Sequence, residues 1–196
     1  MKPSLLKSLS AGAVMLTALA ACHSSPSRLF TLYPVAPGGA RSAYAGAPIR
    51  VDAVHVPPAL DRIEVVSDVA PGELGLHDMD HWSAPLGQVS RQALSADLIA
   101  RLPPGSVIFP HLAKSDGALG LVVDILDFKA DRAGATLEAS WVLARAEGGS
   151  APTRGTAQLR TDQSAEGAAA MARALSTLLG QLADRIVVAL PAPGAA

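Results

Sequence analysis

Cysteine is nearly missing from this chain of 196 residues: there is one, Cys22. A lone thiol excludes a disulfide within the chain, even in an oxidising compartment. Charge is sparse too, at 17% of residues against 49% hydrophobic, which describes a globular chain and not a disordered one. Long apolar runs are confined to the N-terminus. No second run approaches the roughly 20 residues that a membrane-crossing helix needs. Catalytic signatures are absent as well: the sequence holds no G-x-S-x-G elbow, Walker A loop, G-x-G-x-x-G or HExxH. No catalytic residue and no cofactor are expected.

What is there begins with two cations, Lys2 and Lys7, followed by an apolar Ala/Leu-rich run to Ala21. At about a dozen residues this run has the length of a signal-peptide h-region, which is about 7–15 residues. Its end, Leu19-Ala20-Ala21-Cys22, resembles the lipobox of bacterial lipoproteins, whose cysteine is acylated and becomes the new N-terminus. Two or more acyl chains hold a protein stably where one chain binds reversibly. The acidic residue that commonly retains such lipoproteins at the inner membrane is replaced by His23, so the resemblance implies the periplasmic face of the outer membrane. Loss of residues 1–21 takes Lys2 and Lys7 from the 16 basic residues, leaving 14 against 17 acidic ones and a net charge of −3. That balance argues against a nucleic-acid partner. The expected organisation is a signal peptide over 1–21, an acylated N-terminus and tether with a short strand over 22–47, one α/β domain over 48–191, and a flexible tail over 192–196.

Within the domain, alternation or apolar runs predict strands at 28–33, 49–56, 63–66, 107–109, 121–128, 136–143 and 154–161. The last three read as an antiparallel meander joined through turn-rich links. Residues 68–83, punctuated by Gly72 and Gly75, are not resolved into an element. A helix is predicted from Leu86 to Leu102, with Ser83 as N-cap, Pro85 in the first turn and a ridge of Leu94, Leu98 and Leu102. A final helix carries Ala168, Met171, Leu175, Leu178, Leu179, Leu182 and Ile186 on one face, and Arg173, Thr177, Gly180 and Asp184 on the other. Both helices are expected to cover a single sheet, mixed and mostly antiparallel.

Candidate chemistry is thin. His77-Asp78-Met79-Asp80-His81 crowds potential ligands together but lacks a recognised metal spacing. It reads as a polar turn leading to Trp82, and no metal is expected. Asp124 and Asp127, three apart on a strand, are expected on opposite faces; His55 and His111 read as surface or edge histidines. Trp141 alternates with Leu137 and Leu143 and reads as core. Trp82, beside a helix start, suits core packing or, as the less favoured role, an anchor for a partner.

The run Val54-His55-Val56-Pro57-Pro58-Ala59-Leu60-Asp61-Arg62-Ile63-Glu64-Val65-Val66 resembles the valine–proline–leucine–aspartate–arginine strand-and-turn of the ABC-type transport auxiliary lipoproteins, the PqiC-like family. His81-Trp82-Ser83-Ala84-Pro85-Leu86 is similar to that family's tryptophan–x–x–proline–leucine motif, with His81 where arginine is common. Val123–Phe128 with Glu138-Ala139-Ser140-Trp141 resembles its third block, and Phe30-Thr31-Leu32 fits its early strand. The resemblance implies a three-layer α/β sandwich and a non-catalytic auxiliary role beside ABC transporter subunits and an MCE-domain protein, in a system moving lipids or other hydrophobic molecules across the periplasm. It implies docking of that assembly to the outer membrane through acylated Cys22. Pro57, Pro58, Leu60, Arg62 and Trp82 are the candidate partner surface, being a Pro-rich turn and an aromatic near element ends. The alternative is a periplasmic lipid carrier with its own apolar groove. Homo-oligomerisation is compatible with such an assembly, although no heptad or interface pattern marks it.

Overall fold

A computed structural model of the chain describes residues 26–70, 72–109, 117–145 and 151–191. Cys22, His23 and His111, and the tail over 192–196, lie outside the described residues.

The central sheet has five strands in the order β5-β2-β6-β7-β8. They are β2 (Ile49–His55), β5 (Val107–Ile108), β6 (Leu119–Asp131), β7 (Gly134–Arg145) and β8 (Thr153–Thr161). The meander is present as expected, β6 with β7 and β7 with β8 running antiparallel. Both neighbours of β2 are parallel to it, so the sheet is mixed. β6 is central, and burial along it alternates: Leu121 and Val123 are fully buried on one side, while Val122 between them is half-buried on the other.

Two helices lie against that sheet, α1 (Leu86–Arg101) and α2 (Ala168–Val188), and they pack on each other as well. The predicted ridge holds: Leu94, Leu98 and Leu102 are each 0% exposed, as are Leu178, Leu179 and Leu182 of α2. Burying a leucine contributes about 1.5–3 kcal/mol, so these ridges dominate the attachment of helix to sheet.

A second, smaller sheet departs from the expected single one. Its order is β1-β4-β3, with β1 (Arg28–Phe30), β3 (Glu64–Ala70) and β4 (Glu73–Trp82). β3 and β4 form an antiparallel hairpin and β1 runs parallel to β4. Residues 77–81 are thus strand and not a polar turn, with a break in register between the Glu64↔His81 and Val65↔His77 pairs. A bulge also changes the fate of two carboxylates. The β6 register slips between Ile125 and Asp127, so the buried side passes from Ile125 to Phe128. Asp124 and Asp127 therefore fall on the same, outward side of the sheet, contrary to simple alternation. They are separately paired: Asp124 Oδ1 lies 2.8 Å from His55 Nδ1, and Asp127 Oδ2 2.8 Å from Lys129 Nζ.

The segment expected as a tether is docked from Arg28 onward. After β1, residues 31–36 form a strap over the seam between α1 and α2. Tyr33 N–H donates to Ser176 Oγ at 3.3 Å on α2, and Val35 N–H donates to Asp97 Oδ1 at 2.9 Å on α1. Gly180, placed by the helical period on the solvent side, is buried beneath this strap, where an added Cβ would stand 3.1 Å from Val35 Cβ.

Candidate functional site

Sequence motifs some 25 residues apart meet at the start of α1. The turn after β2 closes on itself, with Leu60 and Asp61 N–H both donating to the Pro57 carbonyl, at 2.8 and 3.1 Å. This throws the Asp61 carboxylate toward α1, where its Oδ1 accepts the Gly87 N–H at 2.9 Å. A helix-terminal N–H with no intrahelical acceptor thus gains one, and an anion lies at the positive end of the helix. Pro85, not Ser83, occupies the N-cap position and offers no side-chain acceptor; the cap arrives from a distant turn instead. Gly87 is required for the approach, since a Cβ there would stand 2.8 Å from the Val54 carbonyl and 3.3 Å from Asp61.

The candidate partner residues divide at this junction. Pro58 and Arg62 are exposed and Pro57 is half-buried. Leu60 is half-buried and packs against the core, while Ile63 beside it is 50% exposed. Trp82 is only 2% exposed, which corrects its use as an exposed anchor. Its backbone N–H donates to the Ile63 carbonyl at 2.6 Å, and the next, Ser83, donates to Phe30 at 2.7 Å. Trp82 is therefore the core post on which the turn, β1 and the start of α1 converge. Arg62 Nε pairs with Glu64 Oε2 at 3.3 Å; the Glu64 backbone N–H, then Arg62, hold that carboxyl below its usual range.

The smaller sheet brings polar groups together in a way the sequence did not suggest. His77 Nε2 lies 3.0 Å from Ser67 Oγ, and its Nδ1 is 3.9 Å from Asp80 Oδ2. The second distance is beyond a hydrogen bond. Asp80, 5% exposed, is instead clamped by both Arg28 Nε and Nη2, at 2.7 and 2.8 Å. Such a fork fixes β1 on β4. The carboxylate is thereby spent on Arg28, so this serine, histidine and aspartate do not form a nucleophilic triad. Among the described residues no group of three or more His, Cys, Asp or Glu is placed to hold a metal.

A third cluster fastens the strap. Arg101 Nη1 donates to Asp97 Oδ1 at 2.9 Å and to the Val35 carbonyl at 3.0 Å, and Arg101 Nε donates to Asp184 Oδ1 at 2.6 Å. Burial pushes the Asp97 carboxyl up to about 6, against the lowering pull of the Val35 N–H and of Arg101. Asp97 Oδ2 has no hydrogen-bond partner among the described residues, which fits a group that resists ionisation.

One cleft has ligand-like volume. It measures about 400 Å³, is open to solvent, and is lined by Ser140, Trp141, Val142, Arg154, Gly155 and Thr156 on β7 and β8. Trp141 is 5% exposed, as expected for a core residue, and its indole covers Gly155, where an added Cβ would clash with the ring.

A family model described as the ABC-type transport auxiliary lipoprotein component matches residues 30–187. Two crystal structures are similar in fold. One, titled only as an uncharacterized protein, has a TM-score of 0.62 at 18% identity, covering 84% of this chain and 98% of its own. The other, a Xanthomonas campestris protein assigned to DUF330, has a TM-score of 0.62 at 19% identity, covering 83% and 96%. No curated protein matches.

Proposed function

The chain belongs to the ABC-type transport auxiliary lipoprotein family, and from that premise we propose that it is a non-catalytic docking component at the periplasmic face of the outer membrane. In this reading residues 1–21 are removed, Cys22 carries the acyl chains, and the folded domain holds an MCE-domain protein of an ABC-type system that moves lipids or other hydrophobic molecules. No helix among the described residues is long and apolar enough to cross a membrane, so this reading assigns attachment to the acyl chains.

One observation carries docking over lipid carriage. The leucine faces of both helices, fully buried between helix, helix and sheet, are used up in holding the fold. What they leave outward is a rigid surface: Pro57, Pro58, Arg62 and Ile63, clipped to α1 by Asp61. Prolines and a braced backbone lose little entropy on association, which favours such a turn as a contact. The carrier reading draws on the cleft over β7 and β8, whose volume lies in the range of small-molecule sites, about 300–1,000 Å³. Its openness and its Ser140, Arg154 and Thr156 lining suit an acyl chain poorly.

The test is affinity capture of the native, membrane-anchored protein beside a Cys22→Ala control, with mass spectrometry of proteins and of extracted lipid. Recovery of MCE-domain and ABC transporter subunits, with no stoichiometric lipid beyond the acyl chains on Cys22, is the expected result. Stoichiometric non-covalent lipid would replace docking by carriage. Recovery of neither would remove the transport role.

A further inference from the structure

We propose that the free end of the β3–β4 hairpin is a second membrane contact, in which Val69, Leu74 and Leu76 enter the boundary between headgroups and acyl chains. The inference rests on the reading of Cys22 as the acylated residue.

Direction comes from strand pairing. β1 runs parallel to β4, with Arg28 opposite Asp80, so the chain arriving from Cys22 enters from the side of the hairpin's free end. Distance comes from chain length. Six steps along the chain lead from Cys22 to Arg28, and at about 3.3–3.6 Å each they span at most about 22 Å. From Asp80 back to Glu73, β4 covers seven steps, about 23 Å at strand rise. A fully extended linker therefore brings the acylated residue about level with the hairpin end. Any slack in it places that end in the bilayer.

Composition then fits the place. Val69, Leu74 and Leu76 are 62%, 46% and 50% exposed. Register puts Leu74 opposite Asp68 and Leu76 opposite Val66 on one side of the hairpin. Val69 lies on the other side, its Cγ2 occupying the space over Gly75. On the side turned to the body, where Leu74 borders Phe128, Ala130 and Met171, Leu74 and Leu76 still stay half exposed, and on the other side Val69 stands out beside Ser67 and His77; a hairpin with one face on protein would show water a polar tip. Immersion explains that better than a flat protein contact. Asp68 and Glu73 flank the apolar residues, so the contact does not depend on anionic headgroups.

The test uses full-length acylated protein carrying Leu74→Cys, labelled with an environment-sensitive NBD dye and reconstituted in phosphatidylcholine vesicles, with Gln158→Cys on exposed β8 as reference. Acylation occupies the Cys22 thiol, so the label goes only to the new cysteine. The expected result is a blue-shifted emission at 74, quenched by lipid-borne nitroxide, with neither at 158. Val69→Cys, on the opposite side of the hairpin, repeats the measurement should the first variant fold poorly. Protein that floats with the vesicles while its 74 and 69 labels emit as in water overturns the contact and leaves the anchor standing. Protein that neither floats nor carries acyl mass on Cys22 removes the anchor and the hairpin contact together.

Discussion

Replacing Gly87 by alanine sets two rules against each other. In a helix alanine is favoured over glycine, by up to about 1 kcal/mol in the interior and less in the first turn where Gly87 lies, so propensity alone predicts a stabler protein. The packing predicts the reverse. A Cβ at position 87 would stand 2.8 Å from the Val54 carbonyl oxygen, a backbone atom, and 3.3 Å from the Asp61 carboxylate. Crowding of this kind costs about 1–3 kcal/mol. If Asp61 is pushed off, loss of the cap adds about 1 kcal/mol. After the propensity gain is subtracted, Gly87→Ala is expected to destabilise by about 1–3 kcal/mol, a fall in Tm of about 2–4 °C for each kcal/mol at this chain length. Urea unfolding followed by circular dichroism reads it as a lower midpoint at unchanged slope. Asp61→Ala should lose only the cap, about 1 kcal/mol, and Asp61→Asn, which keeps an acceptor, less than that. A Gly87→Ala protein as stable as the wild type, or more so, would refute the idea that the turn is clamped onto α1.

Three further outcomes follow from buried contacts. Gly180→Ala places a methyl 3.1 Å from Val35 Cβ and 3.3 Å from Arg101 Nη2; it should lift the strap and speed proteolysis within residues 31–44, and an unchanged cleavage pattern would contradict this. Asp97, with its carboxyl raised from 3.8 to about 6, binds its proton more tightly folded than unfolded. Its contribution to stability is therefore full below the unfolded value and is lost as pH rises through about 6, by at most about 3 kcal/mol. Measured against Asp97→Asn, the wild type should lose stability between pH 4 and 7; a constant difference would sink the assignment. Gly155→Val drives a side chain into the Trp141 indole and should cost about 1–3 kcal/mol with a red shift of tryptophan emission, whereas unshifted emission would mean that the ring does not lie over β8.

Legibility in the sequence followed periodicity. The leucine ridges of α1 and α2 and the β6–β7–β8 meander repeat over enough residues to be read without a structure. The hairpin strand β4 was hidden because its outer apolar residues, Leu74 and Leu76, stay half exposed and Gly75 interrupts them; without burial there is no alternation to see. The α1 cap was misplaced for a different reason. Local rules look to Ser83, but the acceptor sits in a turn whose nearness to Gly87 exists only in the fold. Gly180 misled through the strap, since a helix face that the final helix alone leaves bare is covered by residues 31–36. Of the candidate docking residues, the sequence could rank Pro58 and Arg62 by type, but it could not tell that Trp82 is spent on the core.

The hairpin and the proline turn occupy opposite ends of the same strand. β3 leaves the turn at Glu64 and reaches the hairpin end at Ala70, six steps that at strand rise span about 20 Å. With the hairpin end in the bilayer, as proposed, the Pro57–Arg62 turn and the start of α1 therefore face away from the membrane, the side on which the docking proposal puts the partner. The Arg28–Asp80 fork holds β1, and with it the entry of the chain from Cys22, against the strand that ends in Trp82. In the proposed arrangement, membrane attachment and docking surface are thus joined through one small sheet. Breaking the fork with Arg28→Ala removes both hydrogen bonds to Asp80, 5% exposed, and leaves it only the 3.9 Å approach of His77. It should release β1 and lengthen the effective tether. Labels on the hairpin should then lose quenching by lipid while the protein still floats with vesicles. Retained quenching in Arg28→Ala would mean that the hairpin finds the bilayer without the help of β1.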